Sequence, residues 1–263
     1  MLPTVTLIDA EVSTYTLCLV TALFVGGAVA YFRLLRLGKP IGILRLGIAL
    51  TIGASLLAMV AVNYVVNSVL ASESIASGAI FQPEGMSILW ALLGGCAAAM
   101  LICRWQQVPI LRVFDLFIVG VPLAQAIGRL GCWAAGCCYG RETEGWLGIY
   151  APDDHGHWAE RYPTQLISAA ANLAIFFILL TVERRSVRAD GTRQPWAFDG
   201  MLLFLYILLF AAKRFLIALL RESGAPLLGS FNWMQLSALL AMAITSGLWA
   251  YASRRQQAAA AIG

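Results

Sequence analysis

Seven long apolar runs, at roughly residues 15–32, 46–69, 86–103, 113–133, 166–182, 201–220 and 233–251, constrain this chain more than any other feature. A membrane-spanning helix needs about 20 predominantly apolar residues, so each run reads as one span. Together they leave no room for a separate soluble domain. Of the 263 residues, 60% are hydrophobic and 12% charged, which lies outside soluble composition. The runs also exclude an outer-membrane barrel, whose strands are shorter and alternate in polarity. The expected fold is therefore all-α: one integral membrane domain over residues 1–263, with about seven transmembrane helices. The first run lacks a small-residue cleavage site after a basic segment and reads as a retained helix, not a secretory signal.

Orientation follows from the basic residues. Arg33, Arg36, Lys39 and Arg45 follow the first run, Arg104 and Arg112 the third, and Arg184, Arg185, Arg188 and Arg193 the fifth; Arg254 and Arg255 lie in the tail. These are alternate connections plus the C-terminus, so all lie on one side. The positive-inside rule makes that side cytoplasmic and puts the N-terminus outside. The net charge of +4 is accordingly a topology signal and not a nucleic-acid footprint. The expected location is an inner membrane. The longest outer connection, a periplasmic loop at about 134–165, carries both histidines; Trp146, Trp158, Tyr150 and Tyr162 point to an ordered element at headgroup level.

Six basic residues fall outside that rule: Arg129, Arg141, Arg161, Lys213, Arg214 and Arg221. Arg129 and Arg214 fall inside apolar runs, where an unpaired charge costs about 2.5–3.5 kcal/mol on the most lenient scale. Residues that costly face a polar cavity, or else snorkel to headgroups or pair with Glu142 and Glu222. Arg214 and Arg221 are two helical turns apart and would share a face able to hold one anion at two points.

A second cluster runs from Gly128 to Arg141 and reads Gly-Arg-Leu-Gly-Cys-Trp-Ala-Ala-Gly-Cys-Cys-Tyr-Gly-Arg. Its glycines, Gly128 and Gly131 among them, allow close approach or a sharp turn of the kind that builds anion-binding N–H nests. Its three cysteines leave several readings open. Cys132 can form a disulfide with Cys137 or Cys138, or all three can be free packing residues. Zinc is disfavoured for want of a fourth ligand at ordinary spacing, unless His155 or His157 supplies one. A thiol-redox function would lack the expected Cys-x-x-Cys spacing.

The order of these motifs resembles the prolipoprotein diacylglyceryl transferase family, over nearly the whole chain. The matching segments are Tyr15, Gly85-Met86-Ser87 with Gly94-Gly95, Asp115, Gln125 to Gly131, Arg161-Tyr162-Pro163-Thr164-Gln165-Leu166, Gly200, Tyr206, Arg214-Phe215, Arg221 and Gln235-Leu236-Ser237. The resemblance implies a seven-helix inner-membrane enzyme. Such an enzyme moves the diacylglyceryl group of phosphatidylglycerol, or a related phospholipid, onto a thiol of a lipoprotein precursor. Departures from the family pattern are specific. Leu89 stands where the family has a histidine, Cys132, Ala135 and Cys137 replace Asn, Asn and Glu, and Ala218 replaces a glutamate.

On that resemblance Arg129 and Arg214 are the catalytic pair, stabilising charge on the departing glycerol phosphate without a metal or other cofactor. Tyr15, Gly128, Gly131, Arg141, Arg161, Tyr206 and Arg221 would contact substrate. The base is open among His155, His157, Glu142 and the leaving phosphate. Two alternatives remain at this level: a family member with a non-lipoprotein acceptor, and a lipid-binding or thiol-redox membrane protein without transferase activity.

Overall fold

The computed structural model describes residues 4–7, 10–37, 41–70, 83–152, 157–187, 194–221 and 231–262. His155 and Glu222, named above, lie outside the described residues, as does the side chain of Leu89. A short hairpin of β1 (Thr4–Leu7) and β2 (Ala10–Ser13), not foreseen from hydropathy, precedes α1 (Thr14–Leu34). There follow α2 (Ile41–Leu70), α3 (Pro83–Trp105), α4 (Ile110–Ile118) and α5 (Gly120–Ala135). A second hairpin, β3 (Ile149–Pro152) with β4 (Trp158–Arg161), interrupts the helices before α6 (Thr164–Ser186), α7 (Met201–Leu220) and α8 (Trp233–Ile262). The protein is thus a mostly helical, polytopic membrane protein.

Among the described residues five helical stretches are long and apolar enough to cross a bilayer: Thr14–Leu37, Ile110–Ala135, Thr164–Ser186, Met201–Leu220 and Trp233–Gln256. Shorter apolar helices, Arg45–Ser55 and Lys-free Leu93–Trp105, lie within α2 and α3. The fourth apolar run is covered by α4 and α5, joined through Val119, whose backbone stays in the right-handed helical region (φ −64°, ψ −31°), so that the two make one 26-residue span. Large side chains such as Leu23, Phe24, Leu57, Leu101, Phe177 and Leu240 are exposed, as expected where lipid and not water is the outer solvent.

The chain divides into two compact units. Residues 33–113 form one, in which α2 packs on α3 through small residues; a Cβ on Gly94 would come 2.5 Å from Ala58 Cβ. The other comprises residues 1–32 and 114–263 and holds a bundle of α5, α6, α7 and α8 with α1. Two local devices order it. Asp115, only 6% exposed, accepts hydrogen bonds from the Gly200 and Leu203 amides (2.7 and 3.0 Å), placing a carboxylate at the α7 N-terminus. There it satisfies otherwise orphaned donors and complements the helix dipole. At the start of α8 the Asn232 side chain accepts from the Gln235 amide and the Gln235 side chain accepts from the Asn232 amide (2.9 and 3.0 Å), a reciprocal capping box.

Candidate functional site

The bundle interior changes character along its length. Helix α6 buries Thr164, Gln165, Ser168 and Asn172 in its first half and Ile175 and Leu179 in its second. The spacing of Gln165, Ser168 and Asn172 follows the helical period, so one inward stripe turns from polar to apolar. Beside the apolar stretch sit Ile118, Val119, Phe198, Met201, Leu202 and Phe204. The polar stretch faces the C-terminal parts of α5 and α7, which carry Arg129, Lys213 and Arg214.

Lys213 donates from Nζ to Asn172 Oδ1 at 2.7 Å, lies 4.2 Å over the Phe210 ring, and is within electrostatic reach of both Arg129 and Arg214. Among the described residues no carboxylate pairs with Arg129, Lys213 or Arg214. Three like charges therefore gather inside apolar helices without a counter-ion among the described residues, an arrangement that an anion stabilises. Buried amide atoms nearby are also unsatisfied within the described structure: Gln125 Oε1, Gln165 Oε1 and Asn172 Nδ2. Such atoms call for a polar ligand or water. The Gln125 side chain is hydrogen-bonded to Tyr206, which is buried and stacks on Phe210.

The cysteine segment follows from how α5 ends. Gly136 adopts the left-handed region (φ 78°), its amide bonding to the Trp133 carbonyl (3.2 Å) while the Cys137 amide bonds to that of Cys132 (3.1 Å). This pair of bonds is a Schellman cap, which favours glycine. Two residues on, Cys138 also has positive φ (62°), costly for a residue with a Cβ by about 1–2 kcal/mol. Neighbouring hydrogen bonds hold it there: Thr164 Oγ1 donates to the Cys138 carbonyl (2.8 Å) and Gln165 Nε2 to the Cys137 carbonyl (2.7 Å). The sulfurs of Cys132, Cys137 and Cys138 lie within 4.8 Å of one another, all three half-buried and all free thiols. A hydrogen bond from Cys132 and the guanidinium groups of Arg221 and Arg129 draw the Cys138 thiol below its ordinary range, against the opposing effect of burial. Burial pushes the Cys137 thiol up.

Several expected contacts are rearranged. Helix α7 ends at Leu220 with Arg221 as its extended C-cap residue, and Arg221 is within electrostatic reach of Cys138 as well. The amides of Gly136, Cys137, Gly140 and Arg141 are bonded to backbone carbonyls, so they offer no anion nest. Gly131 is a packing residue, since a Cβ there would come 2.7 Å from Cys18 Cβ and 3.5 Å from the Tyr15 ring, whereas space beside Gly128 is open. Tyr15 is thereby held against the same segment, within electrostatic reach of Arg129 and the three cysteines.

Arg141 and Arg161 belong to the loop. Arg161, 4% exposed, donates to Glu142 Oε1 at 2.8 Å, lies 3.5 Å from His157 Nδ1 and stacks 5.1 Å over Tyr139. Arg141 is exposed, with its guanidinium 5.9 Å from the Tyr162 ring centroid. Gly140 sits where a Cβ would meet the Tyr162 and Leu220 carbonyls at 2.6 and 2.8 Å. Loop, α6 and α7 are thus tied together by Gly140 N–H to Tyr162 and Arg141 N–H to Leu220 (3.0 and 2.9 Å). Asn172 escaped attention in the sequence, although a polar residue seven after Gln165 in an apolar run marks the stripe.

Residues 3–251 match the prolipoprotein diacylglyceryl transferase family. The chain belongs to that family. A Dehalococcoides mccartyi phosphatidylglycerol–prolipoprotein diacylglyceryl transferase is 32% identical over 184 residues, 70% of this chain and 68% of the relative. The enzyme of that name from Clostridium tetani is 31% identical over 145 residues, 52% of each, so the matched stretch spans about half of that relative. One from Wolinella succinogenes is 30% identical over 185 residues, 69% of this chain and 62% of the relative.

Proposed function

We propose that this protein is a phospholipid-dependent diacylglyceryl transferase, taking phosphatidylglycerol from the bilayer and passing its diacylglyceryl group to a thiol, with lipoprotein precursors as the acceptor class. The names of its relatives support the reaction. The observation that carries it on this chain is the group of Arg129, Lys213 and Arg214 with no carboxylate partner among the described residues. A phosphodiester held there would meet three donors before reaction. As the carbon–oxygen bond to glycerol phosphate breaks, charge grows on the phosphate, and preorganised cations stabilise that state more than the starting one. Tyr15 and Tyr206 line the same bundle and Arg221 stands at its end.

The test separates a phosphate site from headgroup anchors. Lysine snorkels as well as arginine but does not reproduce its two-pronged contact to phosphate. Arg129→Lys and Arg214→Lys should each slow glycerol phosphate release from phosphatidylglycerol by roughly 100- to 1,000-fold, the range for losing one preorganised donor. Arg255→Lys in the tail is the neutral control. Near-wild-type rates in both variants, with folding intact, would rule out the donor site.

The same reading places all seven apolar runs across a bacterial inner membrane as one domain, C-terminus in the cytoplasm and the 134–165 loop in the periplasm, on the strength of the basic connections. A reporter active only outside the cytoplasm should work when fused after Asp153 and be silent after Asp190. The opposite pattern would invert the topology.

A further inference from the structure

The acceptor thiol must lose a proton before it can attack, because the thiolate is the nucleophilic form. We propose that Cys132, Cys137 and Cys138 bind one zinc ion through three thiolates, leaving a fourth position at which the acceptor thiol is bound and deprotonated.

Geometry carries the first half of this assignment. The three sulfurs already lie within 4.8 Å of one another. Tetrahedral zinc with Zn–S bonds of about 2.3 Å sets its sulfurs about 3.8 Å apart, so closing the site moves each sulfur only a fraction of an ångström to an ångström. The backbone is prearranged: the Gly136 cap and the positive φ of Cys138 turn two consecutive side chains toward Cys132 on the last turn of α5. Thr164 and Gln165 fix the two carbonyls of that turn. A set of three protein ligands is the composition of a catalytic zinc site and not of a closed structural one. The missing fourth ligand, which argues against zinc in the sequence, is here the place where substrate binds.

The chemistry carries the second half and rests on the transferase reading above. A thiol that coordinates zinc is deprotonated outright, and the thiolate is the nucleophilic form. Four thiolates on a divalent ion leave two negative charges, which the neighbouring Arg129 and Arg221 guanidinium groups offset. The acceptor sulfur uses a lone pair to form a bond to the glyceryl carbon that bears the phosphate. The carbon–oxygen bond breaks with its electron pair going to glycerol phosphate, and the acceptor's proton passes to that phosphate or to water. Zinc stays divalent, and the product thioether, being neutral, leaves the metal. Arg129 is within electrostatic reach of both Cys138 and Lys213, so one guanidinium acts on both the metal-bound nucleophile and the leaving group.

The full chain, purified in detergent, reduced and stripped with a chelator, should be titrated with cobalt(II) as a spectroscopic stand-in for zinc. We expect one cobalt per chain with a thiolate-to-metal charge-transfer band, displaced by zinc and shifted when N-acetylcysteine amide is added. Cys138→Ser should weaken the band, while Cys96→Ser, outside the cluster, should leave it unchanged. The wild-type titration stands by itself, independent of whether a serine variant folds. Stripping should lower the diacylglyceryl transfer rate by at least tenfold, and zinc should restore it. Absence of the band with all thiols reduced overturns the assignment. So does a metal-free disulfide from Cys132 to Cys137 or Cys138 in protein from unreduced membranes, or a transfer rate indifferent to stripping. Metal uptake and the thiol-induced shift without any glycerol phosphate release would uphold the site and end the phosphatidylglycerol reading instead.

Discussion

The two ends of the α5–α6–α7 bundle are built from the same helices and do opposite things. Around Val119, Leu179 and Met201 the interior is closed and apolar, and Asp115 satisfies the α7 amides, so that end leaves little to bind. Around Asn172 and Lys213 the interior gathers like charges and amide atoms without partners among the described residues. Such a collection lowers the stability of the folded chain by itself and becomes favourable only with an anion in place. On the proposed function, stability and ligand binding are thus separated along one bundle, each half-helix contributing to a different end.

Mutations can break this division. Leu179 is fully buried at the apolar end, and Leu179→Ala should destabilise the protein by about 3 kcal/mol through lost contacts and the cavity left behind. Thermal unfolding in detergent would measure this, while turnover per folded molecule should be unchanged; a large loss of turnover would mean that the ends are coupled. At the polar end Lys213→Met should act the other way. Loss of one charge-assisted contact to phosphate, about 1.5–3 kcal/mol, slows glycerol phosphate release by roughly 10- to 100-fold. The unfolding temperature should stay level or rise, because a like charge leaves the cluster. A fall in stability as large as that of Leu179→Ala would show that Lys213 supports the fold through Asn172 and does not await a ligand.

Much of the fold was legible in the chain because the bilayer imposes it. Backbone groups in hydrocarbon must bond internally, so an apolar run of sufficient length has little choice but helix; α1, α6, α7 and α8 contain the expected runs within their limits. The turn at the end of α5 was also a local signal, carried by glycines such as Gly136. Residue type alone marked Arg129 and Arg214 as costly. Hydropathy is blind to the hairpin at Thr4–Ser13.

Partners, by contrast, were decided in three dimensions. Six arginines and lysines looked alike in the sequence, yet Arg161 is committed to Glu142 and Tyr139, Arg221 lies past the end of its helix beside Cys138, and Lys213 joins Arg129 and Arg214. The three cysteines were equally ambiguous, because spacing along a chain does not say which way a turn with two left-handed residues points its side chains. Charge and apolar length are properties of single residues and of short windows, so the sequence by itself determined that this chain spans a membrane and carries cations it cannot leave in lipid. Which cations meet depends on the register of α5, α6 and α7 against one another. That register is set by packing between residues tens of positions apart, and only the tertiary structure contains it.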